Sequence, residues 1–293
     1  MSAAASVSLT RSAADQRREA MRERLRLIAR SPTVIAGGLV LLCWVACALF
    51  SSHIAPHDPI APDVLHKLQP PSRDHLFGTD SLGRDVLSRV IYGARGILVV
   101  APLATLFGTV LGTSIGLIAG YFGGVVEEVL MRITDAFLAI PVVISATLAL
   151  VALGPSTLGV IFVIGLVFAP IIARTVRAAV LTEAGLEYVQ AATLRQERAP
   201  YVMFVEILPN VLAPVLVEFT VRLGYAIFAT ATLSFIGFGI QPPAPDWGLT
   251  IFEQYSFLVG GLWWPVLFPA LAIASLVVAV NLVADGLNQA LER

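Results

Sequence analysis

Long uncharged apolar stretches constrain this chain more than any other feature. Ser31–Ser52, Gly96–Val126, Ala136–Ala173 and Gln254–Ala284 contain no Asp, Glu, Lys or Arg, and Ile207–Ala244 contains only Glu218 and Arg222. A helix needs about 20 mostly apolar residues to cross a bilayer, where every backbone polar group must be satisfied within the segment. Four of the five stretches give one span each. Ala136–Ala173 is too long for one span and carries Gly154-Pro155-Ser156 near its middle, a turn signal that divides it into two helices joined by a tight hairpin. The expected fold is an all-α integral membrane protein with six transmembrane helices. Composition agrees, since only 13% of residues are charged, about half the share of a soluble domain. The same composition excludes disorder and a disulfide scaffold, and a net charge of −1 argues against a nucleic-acid binder.

Basic residues set the orientation. With the N-terminus cytoplasmic, thirteen Lys and Arg fall inside and five outside, the latter being Lys67, Arg73, Arg84, Arg89 and Arg95. The positive-inside rule therefore puts both termini in the cytoplasm. The charged leader before the first span is longer than an ordinary signal-peptide n-region, so the span is expected to be retained. Cys43 and Cys47 lie four apart on it and read as small apolar residues. The chain divides into a basic cytoplasmic arm (1–30), the first span (31–52), an outer loop (53–92) and a five-helix core (93–293) with a cytoplasmic loop at 178–206.

Several segments do more than span. Gly108, Gly112, Gly116 and Gly120 recur every fourth residue in the second span. Such a stripe admits another helix to backbone contact, within the chain or across a subunit interface. In the outer loop, Thr79-Asp80 offers an N-cap before an apolar face of Leu82, Val86, Leu87, Val90 and Ile91. Asp80/Arg84 and Asp85/Arg89 stand four apart on the opposite face. This predicts an amphipathic helix over Ser81–Tyr92 lying on the outer membrane surface. Gln241–Tyr255 is a second outer segment suited to an interface. All four histidines (His53, His57, His66, His75) fall in the outer loop. Pro56 and Pro59 disfavour the helix that would pair His53 with His57, so the four read as solvated and no metal site is expected. Thr182–Arg195 reads as a cytoplasmic helix capped by Thr182. Glu218 and Arg222, four apart inside the fifth span, are either a functional pair on a pathway or a self-neutralising structural pair.

No nucleophile and base assemble anywhere, and there is no HExxH, GxSxG or CxxC. The one Lys, Lys67, follows His66, whereas a Walker A loop needs Lys after its last Gly. No catalytic residue and no cofactor are expected in this chain.

The stretch HLFGTDSLGRDVLSRVIYGAR (His75–Arg95) resembles the signature of the permease subunits of dipeptide, oligopeptide and nickel ABC importers. So do AIPVV (Ala139–Val143), LSFIGFGIQPPAPDWG (Leu233–Gly248), WWPVLFPALAI (Trp263–Ile273) and NLVADGLNQALER (Asn281–Arg293). The single span before them is most similar to the "C" member of the paired permeases. The cytoplasmic loop resembles the family's EAA motif, with Gln190-Ala191-Ala192 in place of EAA and Leu208-Pro209 at the expected distance. Gln190 departs from Glu, Gln196 stands at the Gly position, and Glu206 takes the Ile slot. The resemblance implies the type I importer permease fold and a coupling helix that docks on an ATPase. It also implies a second permease as heterodimer partner, two ABC ATPase domains that bind ATP and Mg, an external solute-binding protein, and a location in the bacterial cytoplasmic membrane. Alternating access would then carry di- or oligopeptides, with nickel, haem or other chelates as alternative cargo. An ion-coupled transporter using Glu218, or a membrane scaffold, is the rival reading.

Overall fold

The computed structural model describes residues 31–154 and 156–291. The basic arm 1–30, Pro155 of the hairpin and Arg293 lie outside the described residues. The first span is α1 (Pro32–Ile54), with Pro in its first turn, where the missing N–H has no helical partner to lose. The chain then crosses the outer side as an extended strap, with a single 3₁₀ turn at Val64–His66, and enters α2 (Val86–Phe122). After a break at Gly123, where φ is 62°, come α3 (Gly124–Leu138) and α4 (Val142–Leu153), bent by 89° around Pro141. α5 (Thr157–Ala184) and the short α6 (Glu187–Leu194) follow. A helical lead-in from Ala199 runs into α7 (Leu208–Phe235), then α8 (Trp247–Gln254) and α9 (Trp264–Leu291).

Among the described residues, five helices are long and apolar enough to cross a membrane, or six if the bent α3–α4 pair counts as one. Here the structure refines the expected third span. α4 has 12 residues, about 18 Å of helix at 1.5 Å per residue, well short of the roughly 30 Å hydrocarbon core. Pro141 stops a single straight helix, and α3 carries Glu127, Glu128, Arg132 and Asp135. It is clamped to α5 by ion pairs of Arg177 with Glu127 and of Arg174 with Asp135. The hairpin forms as expected. Gly154 supplies a positive φ of 81°, and the Ser156 hydroxyl accepts the Gly159 N–H at 3.0 Å.

The expected outer surface helix is not a separate element. Val86–Tyr92 is the start of α2, and the N-cap is Asp85, not Thr79 or Asp80. Asp85 accepts hydrogen bonds from the Ser88 N–H and hydroxyl at 2.8 and 2.7 Å. Residues 79–85 form a tight loop closed by an isolated bridge between Thr79 and Asp85. The polar face expected in water is buried: Asp80, Arg84, Asp85 and Arg89 are each under 5% exposed. Helical spacing marks these aspartates and arginines as solvated i,i+4 pairs because it carries no information about what else covers that face.

α2 and α5 share the most extensive helix contact in the fold. A Cβ on Gly108 would lie 2.8 Å from the Gly165 carbonyl oxygen, on Gly112 2.6 Å from that of Ala169, and on Gly116 2.8 Å from that of Ala173. One on Gly120 would lie 2.7 Å from the Val180 side chain. The stripe thus lies against α5 of the same chain, with pairings that ascend together, so the two helices run parallel. Parallel neighbours require a crossing back between them, which is what the α3–α4 pair provides. Backbone cannot retreat as a side chain can, and overpacking at such a contact costs about 1–3 kcal/mol or more. Gly112→Leu is therefore expected to lower the melting temperature of the detergent-solubilised protein sharply. Gly38→Leu in α1, where nothing lies within 4 Å of the added Cβ, should leave it nearly unchanged. Equal melting of the two variants would contradict the seam.

Candidate functional site: a cytoplasmic loop, a membrane pair and an outer cap

The cytoplasmic loop is built around α6. The expected helix Thr182–Arg195 is in fact two: Thr182 belongs to α5, the chain turns at Gly185, and α6 starts at Glu187. Val189 and Ala192 are buried and hold α6 down, while Gln190 and Ala191 face outward. Leu194, which sequence reasoning did not single out, is 84% exposed at the end of α6. Its isolation among polar neighbours was the available signal. The Gln190 side chain donates to the Gly185 carbonyl at 3.0 Å and so closes the turn before its own helix.

α6 ends in a Schellman motif. The Glu197 N–H bonds to the Ala192 carbonyl at 3.2 Å and the Gln196 N–H to the Thr193 carbonyl at 2.9 Å. Gln196 takes the left-handed position with φ 58°, where glycine is the unstrained choice. The turn that a glycine would make is kept, although the residue is not glycine. The chain then enters α7 through a π-helical turn, with the Leu208 N–H reaching back to Met203. Pro209, which has no N–H, sits in the first turn of α7, where none is required. Tyr188 joins the parts: its hydroxyl donates to Glu183 at 2.6 Å and accepts from Asn210 at 2.9 Å. Desolvation, with the Glu183 contact second, raises the pKa of this phenol. Arg195 stands 3.7 Å from Glu206 across the loop.

Within the membrane, the Arg222 Nε donates to Glu218 at 2.9 Å, and the Thr175 hydroxyl of α5 donates to the other Glu218 oxygen at 2.9 Å. The acid is thus fully engaged, and it ties α5 to α7. The Arg222 guanidinium carbon lies 5.5 Å from the centre of the Tyr225 ring. Arg222 and Tyr225 border an apolar cavity of about 280 Å³ between α4, α5 and α7, lined also by Val143, Phe168 and Phe228.

On the outer side, the loop before α2 is bolted to α8. Arg84 binds Asp80 at 2.6 Å and Glu253 at 2.8 Å. Arg89 lies 3.8 and 3.9 Å from the same two acids and donates to the Pro59 carbonyl at 3.1 Å. The Gln254 amide exchanges hydrogen bonds with Ser81. Trp247 packs on Gly93, where a Cβ would come within 2.5 Å of its ring, and donates to the Val90 carbonyl at 2.8 Å. Gln241–Tyr255, expected at an interface, is therefore partly core. Asp246 caps α8 through the Leu249 N–H at 2.8 Å, and burial pushes its carboxyl upward. At the exposed rim, Asp63 is held below the usual carboxylate range by its hydrogen bonds from His66 and the Leu65 N–H.

A sequence model of the family described as "Binding-protein-dependent transport system inner membrane component" matches residues 112–293. The chain is 35% identical over 271 residues to the dipeptide transport system permease protein DppC of Alkalihalophilus pseudofirmus, covering 92% of this chain and 89% of that protein. It is 36% identical to the di/tripeptide transport system permease protein DppC of Pseudomonas aeruginosa, covering 93% and 91%. It is 35% identical to the glutathione transport system permease protein GsiD of Pectobacterium atrosepticum, covering 92% and 90%. A solved structure of the inward-facing MetNI methionine ABC transporter matches in fold, with a TM-score of 0.54 at 19% identity over 70% of this chain and 97% of that one.

Two substitutions check this geometry. Gln196→Gly should raise stability by about 1 kcal/mol, because it relieves a left-handed L-residue; a lower melting temperature would contradict the Schellman turn. For Asp246, a folded-state pKa above the unfolded one means that stability is greatest at low pH and is lost as pH rises through the folded value. Asn also caps helices well, whereas Ala costs about 1 kcal/mol. Asp246→Asn should therefore match or exceed the wild-type melting temperature at pH 7, with the difference shrinking toward pH 4, while Asp246→Ala melts lower. An Asn variant that melts like the Ala variant would show that the charge is needed.

Proposed function

Because the chain belongs to the family of binding-protein-dependent transport system inner-membrane components, we propose that it forms half of a peptide-importing path driven by separate ATPase chains. The observation that carries the mechanism is the exposed end of α6, with Gln190, Ala191 and Leu194 facing outward from a rigid base. A leucine 84% exposed on a cytoplasmic helix suits a hydrophobic groove on a partner. In this reading α6 seats in the ATPase through Gln190, Ala191 and Leu194, while buried Ala192 and the turn at Gln196 hold the helix in place, with Leu208 and Pro209 at the hinge into α7. Closure of the ATPase dimer on ATP and Mg would move α6 together with α5 and α7. The Glu218–Arg222 pair and the Thr175 link keep those two helices moving as one body, so the pair serves position more than proton transfer. The cavity beside Arg222 would face the second permease and contribute one wall of the path. The outer cap would meet the solute-binding protein.

Peptides are the proposed cargo, in line with the relatives named for dipeptide, di/tripeptide and glutathione transport. Selection of the individual peptide is assigned to the binding protein. The test is reconstitution of the whole assembly in liposomes with Leu194→Glu or Ala191→Glu. Each variant is expected to cut peptide uptake and peptide-stimulated ATP hydrolysis by tenfold or more, with normal melting of the permease itself. Unchanged uptake in both variants would overturn the docking role of α6. Uptake that persists without the ATPases and collapses with the proton gradient would overturn the ATP-driven reading.

A further inference from the structure

The outer cap holds a cluster that the transport reading leaves unused. His57 lies on the strap that leaves α1, His75 on the loop before α2, and Asp85 at the cap of α2. These residues, expected in solvent, converge. The His75 Nδ1 stands 2.9 Å from the Asp85 Oδ1, and the His57 Nδ1 stands 3.7 Å from the same oxygen. The two imidazole rings have centroids 4.7 Å apart, and potential ligand atoms from all three residues lie within 4.8 Å of one another.

We propose that His57, His75 and Asp85 form a binding site for one divalent transition ion of the Zn²⁺ type on the outer face of the protein. Three observations carry it. The first is distance: zinc bonds of about 2.0–2.1 Å in tetrahedral geometry put ligand atoms about 3.3 Å apart, and the observed 2.9 and 3.7 Å straddle that value. Small rotations of two rings would complete the site.

The second is the division of labour on Asp85. Its Oδ2 is fully occupied by the Ser88 N–H and hydroxyl, which orients the carboxylate as outer-sphere bonds orient a metal ligand. Oδ1 points only at the two histidines. The third is charge. The Asp85 side chain is 1% exposed, and among the described residues its only ionic partners are histidines. Arg89, one turn on, is turned away toward Asp80 and Glu253. A buried carboxylate without a permanent cation is unfavourable, and a bound dication would remove that deficit.

Two imidazoles and one carboxylate suit Zn²⁺ with the fourth position open. The His57 side chain is 43% exposed, which gives the ion a path from the outer solution. The ion would join the exit of α1 to the start of α2, a stretch also tied by hydrogen bonds from the His57 N–H to Ser88 and from Arg89 to the Pro59 carbonyl, each at 3.1 Å. His66 is not part of the set, since its Nδ1 is taken by Asp63 at 2.6 Å. This inference does not depend on the nature of the cargo.

The test uses the full chain, free of any histidine tag, in lipid nanodiscs equilibrated with ZnCl₂ and washed. Metal content is read by mass spectrometry and melting by intrinsic fluorescence. Wild type is expected to retain one Zn²⁺ per chain and to melt higher with Zn²⁺ than with chelator. His57→Ala and His75→Ala should each weaken binding tenfold or more and abolish the shift, while His66→Ala behaves as wild type. His57 is half exposed, so its alanine variant keeps the test valid should His75→Ala misfold. X-ray absorption of the loaded wild type should show two imidazoles and a carboxylate oxygen at about 2.0–2.2 Å. Zinc retained equally by His57→Ala, or no zinc retained by wild type, would overturn the site and leave a simple Asp85–His75 hydrogen bond.

Discussion

Backbone-to-backbone contact between α2 and α5 is the constraint from which the remaining arrangement follows. Lipid tails give two helices no hydrophobic reason to associate, so close van der Waals contact must supply the attraction. Gly108, Gly112 and Gly116 provide it by meeting the carbonyls of Gly165, Ala169 and Ala173. The contact is parallel, and parallel contact forces the intervening chain to return across the bilayer. That return is made by a helix too short to span, α4, and a charged one, α3, set nearly at right angles to it. The ion pairs of Glu127 and Asp135 with Arg177 and Arg174 then fasten α3 to the cytoplasmic end of the same seam. A fold with a looser second span would have no need of this bent pair.

The opposite end of the seam is closed by charge instead of close packing. Buried Asp80, Arg84 and Arg89 form an alternating cluster with the partly exposed Glu253 that locks the loop before α2 onto α8. Burying three charges is costly unless each is paired and hydrogen-bonded. The Pro59 carbonyl and the Thr250 hydroxyl, at 3.1 and 3.3 Å from the Arg89 guanidinium, meet part of that demand. Such a cluster specifies one geometry where an apolar contact would tolerate several. It gives the outer side a rigid platform, and the His57–His75–Asp85 group sits at its rim.

The spans, the hairpin at Gly154 and the glycine stripe were legible because each rests on local chemistry: uncharged length, a turn residue, a four-residue repeat. The outer cap was not. Its i,i+4 charges satisfy the rule for a solvated helix, and Asp80 does pair with Arg84, yet the two arginines also reach partners some 160 residues away, at Thr250 and Glu253. The convergence of His57 with His75 is hidden for the same reason, although His53, His57 and His66 are exposed as expected. His57 and His75 are brought together by the reversal of an irregular strap, and no periodicity in the sequence encodes a strap. The cytoplasmic loop stands between these cases. Gln190, Ala191 and Ala192 were placed by pattern, while Leu194 emerges only once Val189 and Ala192 are seen to be the buried side of α6.

Gln196 shows how a pattern can be broken in sequence and kept in space. Its φ of 58° is held by two Schellman hydrogen bonds and by the continuation of the chain into the π turn before α7. The strain of a left-handed glutamine, about 1–2 kcal/mol, is accepted by the surroundings because a different turn would swing α6, and Tyr188 with it, away from Asn210. Tyr188 bridges Glu183 of α5 and Asn210 of α7, and Thr175 bridges the same two helices deeper in the membrane through Glu218. A force on α6 therefore reaches both helices at two levels at once. Two rungs resist shear between α5 and α7 as one rung would not, so the loop and the two helices are tied as one packed unit. Since α5 is also one face of the glycine seam, α2 belongs to the same unit through backbone contacts that leave no room for independent sliding.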